Sequence, residues 1–286
     1  MADNIVKLTF LTKQELECPV CENTFQKEEL LSGGGRMNAG DLTKELHRIY
    51  IPTNKFGAVY PLLYPIVVCP SCYYSAFPTD FANVSGERIP QLKQGIGERK
   101  MVLSSLFPDL DFGNSRRLQE GVASYVFSSM CYESAPTIMA PHFKQAISCL
   151  RASWLCMDLH SQDKGENYDY LAKVFYRKAS FFYSRVVDLE QKGEESVESL
   201  THLGPDLDNN FGFDGVLYLS GYLEYKYGQR GNPERRAKQL KKARSTVSRI
   251  VGMGKSSKAK PTALLELSRD LHKLIKDELN ELGIDS

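Results

Sequence analysis

Residues 64–76 read Tyr-Pro-Ile-Val-Val-Cys-Pro-Ser-Cys-Tyr-Tyr-Ser-Ala, and residues 16–25 use the same device in Leu-Glu-Cys-Pro-Val-Cys-Glu-Asn-Thr-Phe. Each Cys-Pro-x-Cys turn can chelate one ion through two thiolates. Two such turns complete a tetrahedron with Zn–S bonds of about 2.3 Å. The proline after each first cysteine stiffens the turn and lowers the entropy lost on binding. β-Branched and aromatic runs bounded by turn residues predict strands at Lys7–Leu11 and Tyr64–Val68, so both turns sit at strand ends. The expected local structure is a zinc ribbon holding one structural Zn2+ on Cys18, Cys21, Cys69 and Cys72. An iron–sulfur cluster and dithiol chemistry are the competing uses of four cysteines. A catalytic zinc fits poorly, because four thiolates close the shell and leave no position for water.

Outward from these turns, the 286-residue chain divides into two unequal parts. Residues 1–85 are rich in Pro, Gly, Cys and Tyr, with a Gly33–Gly35 run that reads as a loop. Such a segment buries little apolar surface by itself, which fits a metal-stapled module. Residues 86–286 change to a helical period. Pro141 opens one helix, with Phe143, Ile147, Leu150, Trp154 and Met157 on a face. Leu171, Phe175, Phe182, Val186 and Leu189 mark a second, and Ala172, Tyr176, Ala179 and Tyr183 line its other side. Val216, Leu219 and Leu223 mark a third helix, and Leu240, Ala243, Val247 and Ile250 a fourth. Behind Pro261, Leu264, Leu267, Leu271, Leu274 and Leu282 mark a last one. An earlier helix is predicted from about Asn114, carrying Leu118, Val122 and Tyr125. Stripes of this width must pack as antiparallel hairpins. The spacing of Ala172, Tyr176 and Ala179 matches the second helix of a tetratricopeptide unit, with a looser echo at Gly221, Gly228, Ala237 and Leu240. A non-repeating bundle is the competing arrangement. The fold class expected is α+β: a ribbon-like module over 1–85 and an all-helical domain over 86–286.

Seven cysteines are too few, and odd in number, for a disulfide scaffold in this chain. Cys131, Cys149 and Cys156 fall on helical stretches and are expected to pack as small hydrophobes. His47 finds no vacancy beside four thiolates and reads as an ordinary polar residue. Asp206, Asp208 and Asp214 lack the spacing of a calcium loop and read as a solvated turn.

The formal net charge of +1 conceals local asymmetry. Residues 226–260 carry twelve Lys/Arg against Glu234 alone, while residues 163–214 carry eleven acids against six bases. Arg235, Arg236, Lys238, Lys241, Lys242 and Arg244 form a candidate basic patch. It is read as a solvated face neutralised by acids of the same chain, as a nucleic-acid surface, or as a site for an acidic protein.

No phosphate-binding glycine fingerprint, nucleophile elbow or metalloprotease histidine pair is present, so no residue is nominated as catalytic. The N-terminus lacks the order of a signal peptide, and the apolar stretch Val59–Pro70 is too short to span a bilayer. The expectation is a cytoplasmic protein with reduced thiols and no membrane partner or small-molecule cofactor. Its expected role is non-catalytic: binding a protein or peptide on the helical face. The alternative is a nucleic-acid-associated factor using the ribbon and the basic segment.

Cys18-Pro-Val-Cys21, Arg36 and Asp41 in the intervening stretch, and Tyr64–Ala76 together resemble an uncharacterised bacterial family, a domain of unknown function. In that family a zinc-ribbon-like segment precedes a tetratricopeptide-like helical region. The resemblance is specific over about residues 16–82 and implies that Cys18, Cys21, Cys69 and Cys72 are the ligands. Glu22 and Tyr73 depart from it, because glycine commonly follows the second cysteine of each knuckle. A positive φ there is costly for Glu and Tyr, so distorted knuckle turns are expected.

Overall fold

The computed structural model describes residues 7–251 and 261–283. The fold is α+β, with short antiparallel strand pairs near the N-terminus and a larger helical part. Strand β1 (Thr9–Glu17) pairs antiparallel with β2 (Thr24–Leu30), and Glu17 faces Thr24 across the first cysteine turn. Strand β3 (Ala39–Leu42) pairs with β4 (Arg48–Tyr50), a hairpin that the sequence did not announce. Strand β5 (Val67–Val68) pairs with β6 (Ser75–Ala76) around the second cysteine turn. This strand is shorter than the Tyr64–Val68 expected: Pro61–Leu63 form a 3-10 turn, and Pro65 has no N–H for a ladder.

Helices follow: α1 (Pro78–Phe81), α2 (Ile89–Gln94), α3 (Ile96–Leu106), α4 (Leu118–Tyr132), α5 (Pro141–Gln162), α6 (Tyr168–Lys192), α7 (Gly212–Tyr227), α8 (Pro233–Val251) and α9 (Thr262–Glu281). Helix α4 starts four residues after the expected Asn114. Asp111 instead accepts from the Gly113 N–H at 2.7 Å and from Asn114 Nδ2 at 2.6 Å, closing a turn. The helix is then capped at Arg117, whose N–H donates to the fully buried Glu120 at 2.9 Å. Pro141 opens α5 as expected, since a missing N–H is harmless in a first turn. Met157, placed on the buried stripe of α5 by its spacing, is exposed.

The chain forms two compact units that interleave along the sequence. Unit 1 comprises residues 1–43, 48–135 and 151–172, and holds all six strands and α1–α4. Its core includes Leu63, Ile66, Val67, Tyr74, Phe81, Tyr125 and Phe127. Gly121 of α4 is a close-approach position, because a Cβ there would collide with Leu63 Cδ2. Unit 2 comprises residues 44–47, 136–150 and 173–286. In it α7 packs on α8, and α8 on α9, around Leu219, Leu223, Leu240, Val247, Leu271 and Ile275. Residues 44–47, four of the five that join β3 to β4, thus belong to unit 2.

Candidate metal centre

Both cysteine turns are built alike. In the first, the Cys18 N–H donates to the Asn23 carbonyl at 2.9 Å and the Glu22 N–H to the Cys18 carbonyl at 2.8 Å. In the second, the Cys69 N–H donates to the Tyr74 carbonyl and the Tyr73 N–H to the Cys69 carbonyl, both at 2.9 Å. Each turn closes a hairpin, β1–β2 and β5–β6 respectively. Glu22 and Tyr73 take φ of 64° and 57° without breaking either bond, so the distortion expected of them is absent. The strain is accepted in place: roughly 1–2 kcal/mol for each residue in the left-handed region. Tyr73 also packs its ring 5.4 Å from Phe127, which fixes a bulky side chain where glycine would have none.

The two turns bring Cys18, Cys21, Cys69 and Cys72 together with all four sulfurs within 4.8 Å of one another. Sγ of Cys18 lies 3.6 Å from Sγ of Cys72, and Sγ of Cys21 lies 3.6 Å from that of Cys69. Bonds of about 2.3 Å to a central zinc give a tetrahedron with edges of about 3.8 Å, so the spacing fits such an ion. Cys18, Cys69 and Cys72 are buried and Cys21 is partly exposed. The cluster resists full ionisation without a cation. Hydrogen bonds from Cys69 and Cys72 hold the Cys18 thiol far below its ordinary value. The same bond to Cys18 pushes Cys69 up to about 12, and Cys72 is raised by its bonds to Cys18 and Cys69. Four adjacent thiolates need a positive ion to coexist. These four cysteines could therefore hold a metal, and they are the one such cluster among the described residues.

Buried arginines brace this half of unit 1. Arg99 Nε donates to the Cys72 carbonyl at 3.1 Å, and Arg116 donates to the Leu63 and Ile66 carbonyls at 2.8 and 2.9 Å. Arg88 donates to the Cys131 carbonyl at 2.9 Å. Backbone carbonyls thus gain donors from Arg99 on α3 and from Arg88 and Arg116, which lie just before α2 and α4.

The family described as "Uncharacterized protein conserved in bacteria (DUF2225)" matches residues 11–275. The chain belongs to this family. All four clustered cysteines lie inside the DUF2225 stretch, as does the pattern at Tyr64–Ala76. A relative from Borreliella burgdorferi (strain ATCC 35210), described as "Uncharacterized protein", is 42% identical over 276 residues, covering 96% of this chain and 99% of its own. No solved structure matches the chain.

Elsewhere in this DUF2225 chain the candidate basic patch is dispersed. Arg236 is only 2% exposed: its Nε donates to Glu278 at 2.7 Å, and its terminal nitrogens donate to the Glu224 and Tyr225 carbonyls. Position 236 lies four residues before Leu240, on the apolar stripe of α8, and that register was the available signal. Lys242 pairs with Asp188 at 2.7 Å. Arg235, Lys238 and Lys241 are exposed, and Arg244 is half-buried. Lys255, Lys258 and Lys260 lie outside the described residues. Cys131, Cys149 and Cys156 are buried thiols, and burial pushes Cys156 up to about 12.

Two arrangements escaped sequence reasoning. Glu45 accepts from Lys226 Nζ at 2.6 Å, Tyr176 Oη at 2.8 Å and Tyr227 Oη at 2.9 Å. His47 lies 2.6 Å from the fully buried Asp206, so Asp206 is not the solvated turn residue expected of it. Their partners lie more than 130 residues away, and no local pattern records them.

Proposed function

We propose that the chain is a non-catalytic protein-interaction protein of the bacterial cytoplasm, an adaptor or scaffold. One structural Zn2+ on Cys18, Cys21, Cys69 and Cys72 stiffens a ribbon-like module over residues 1–85, and the helical region over 86–286 receives a protein or peptide. The observation that carries this reading is the cluster of four sulfurs within 4.8 Å, a complete thiolate shell. Such a shell leaves no open position at which a metal could activate water or substrate. Reduced thiols in this number fit a reducing compartment. Among the described residues no helix is long and apolar enough to cross a membrane.

The alternative, association with nucleic acid, draws on exposed Arg235, Lys238 and Lys241. Ion pairing removes Arg236 and Lys242 from that surface.

Two measurements test the proposal. Elemental analysis of the purified chain should find about one zinc per chain, lost in Cys69→Ser. Iron with visible absorption would replace zinc by a cluster. Affinity capture at native abundance should retain the same partner proteins with and without nuclease. Loss of all partners on nuclease treatment would transfer the function to nucleic acid.

A further inference from the structure

Helices α6 and α8 of unit 2 flank a groove of about 270 Å3 whose lining includes Arg177, Phe181 and Ser184 from α6 and Arg235 and Gln239 from α8. The end of α7 supplies Glu224 and Tyr227. Helical register explains the lining, since 177, 181, 184 and 188 share one face of α6, as do 235, 239 and 242 on α8. The volume equals that of about nine liquid waters, enough for one or two side chains.

Three features give the groove a polarity. Arg177 and Arg235 are exposed, and among the described residues neither guanidinium has a partner. Phe181 is 64% exposed, on the one face of α6 that carries no core stripe. Tyr227 is fixed from below: its ring stacks on Tyr176 at 4.1 Å and its hydroxyl donates to Glu45. Farther along the same two helix faces Lys242 is bound to Asp188 and to Ser184 Oγ at 3.1 Å. Within the groove lining the unpaired positive charge therefore sits on Arg177 and Arg235, beside an aromatic surface.

We propose that this groove docks a peptide segment of a partner protein in which a carboxylate stands next to a large apolar side chain. This deepens the protein-interaction reading above and rests on it. The carboxylate takes the two guanidiniums, whose planar donors suit bidentate pairing. The apolar side chain covers Phe181 and Tyr227. A nucleic-acid strand fits less well. Glu224 lines the same groove and repels a phosphate chain, whereas a single carboxylate leaves Glu224 to its neighbour Arg236, 3.8 Å away.

The test uses the full-length, metal-containing protein and a displayed library of random dodecapeptides. Selected peptides should pair Asp or Glu with Leu, Ile, Phe or Trp within a few positions. Arg177→Glu with Arg235→Glu should weaken them at least about tenfold, a difference of about 1.4 kcal/mol. Phe181→Ser should weaken them too. The charge-matched control Lys238→Glu with Lys241→Glu, outside the groove, should change affinity less than about twofold. All five positions are exposed, so the variants should keep the parent melting temperature. Equal losses in both charge variants, selected motifs without an acid, or no selected peptide would each overturn the groove assignment. So would tighter, Arg177-dependent binding of a 20-nucleotide single-stranded RNA. Peptides that bind regardless of Arg177, Arg235 and Phe181 would sink the groove while leaving the protein-interaction reading standing. Failure of native capture as well would remove both.

Discussion

Replacing Cys69 by serine removes one of four sulfurs and should release the zinc proposed for this site and open the second cysteine turn. Apart from that metal, the turn is held by a short hairpin, by two arginines and by the burial of Val67, Val68 and Tyr74. Its hairpin pairs two residues with two, Val67 with Ala76 and Val68 with Ser75. Tyr73 and Glu22 store roughly 2–4 kcal/mol between them in left-handed backbone. A structural zinc in a small module supplies about 10–16 kcal/mol of apparent binding energy, several times that strain. Losing it leaves the turn to its apolar burial and to the Arg99 and Arg116 contacts, each net hydrogen bond worth about 1 kcal/mol, or somewhat more from a charged donor. Without the metal's share the turn should open more readily to protease. The assay is limited trypsin digestion mapped by mass spectrometry, alongside zinc content and far-ultraviolet circular dichroism. New cleavage should appear within residues 7–76, while most of the helical signal persists. The result that would falsify the reasoning is zinc-free Cys69→Ser protein, or chelated parent protein, as protease-resistant as before.

Removing the Glu45 carboxylate by Glu45→Ala orphans two phenol donors and Lys226, a loss of about 2–4 kcal/mol in urea unfolding. Glu45→Gln keeps acceptor atoms in place and should recover much of it. Gly221→Ala drives a Cβ into the buried Val247 Cγ2 between α7 and α8. Overpacking of about 1–3 kcal/mol there should outweigh the helix-propensity gain of about 1 kcal/mol, lowering the melting temperature by several degrees. The pH dependence follows from neutral tyrosines. Burial raises Tyr74, Tyr132, Tyr218 and Tyr227 above the ordinary value near 10, and Tyr64 to about 12. A folded-state value above the unfolded one means that this contribution to stability is complete below pH 10 and lost as pH climbs beyond it. Spectrophotometric titration near 295 nm should show these phenols resisting ionisation until the fold gives way. Five normal, reversible titrations near pH 10 in folded protein would contradict the burial argument.

What the sequence determined by itself is what depends on neighbours in the chain. Chelate spacing at 18–21 and 69–72 is local, so both turns and the four cysteines that cluster were legible. The apolar periods of α5–α8 were legible for the same reason, with Pro141 marking a start, whereas in α9 Leu274 is exposed and Ile275 and Leu279 take the buried face. Position 236, in step with Leu240, and position 181, out of step with both stripes of α6, also carried readable signals. The β3–β4 hairpin was not legible, because strands of four and three residues with Gly40 inside show no alternation long enough to detect. Tertiary structure alone decided the rest. It made Glu45 a buried acceptor for three distant donors and drew His47 to Asp206. It also turned the basic run of α8 from a patch into paired and unpaired cations. Electrostatic partnership depends on distance in space, and a net charge counted along the chain does not carry that distance.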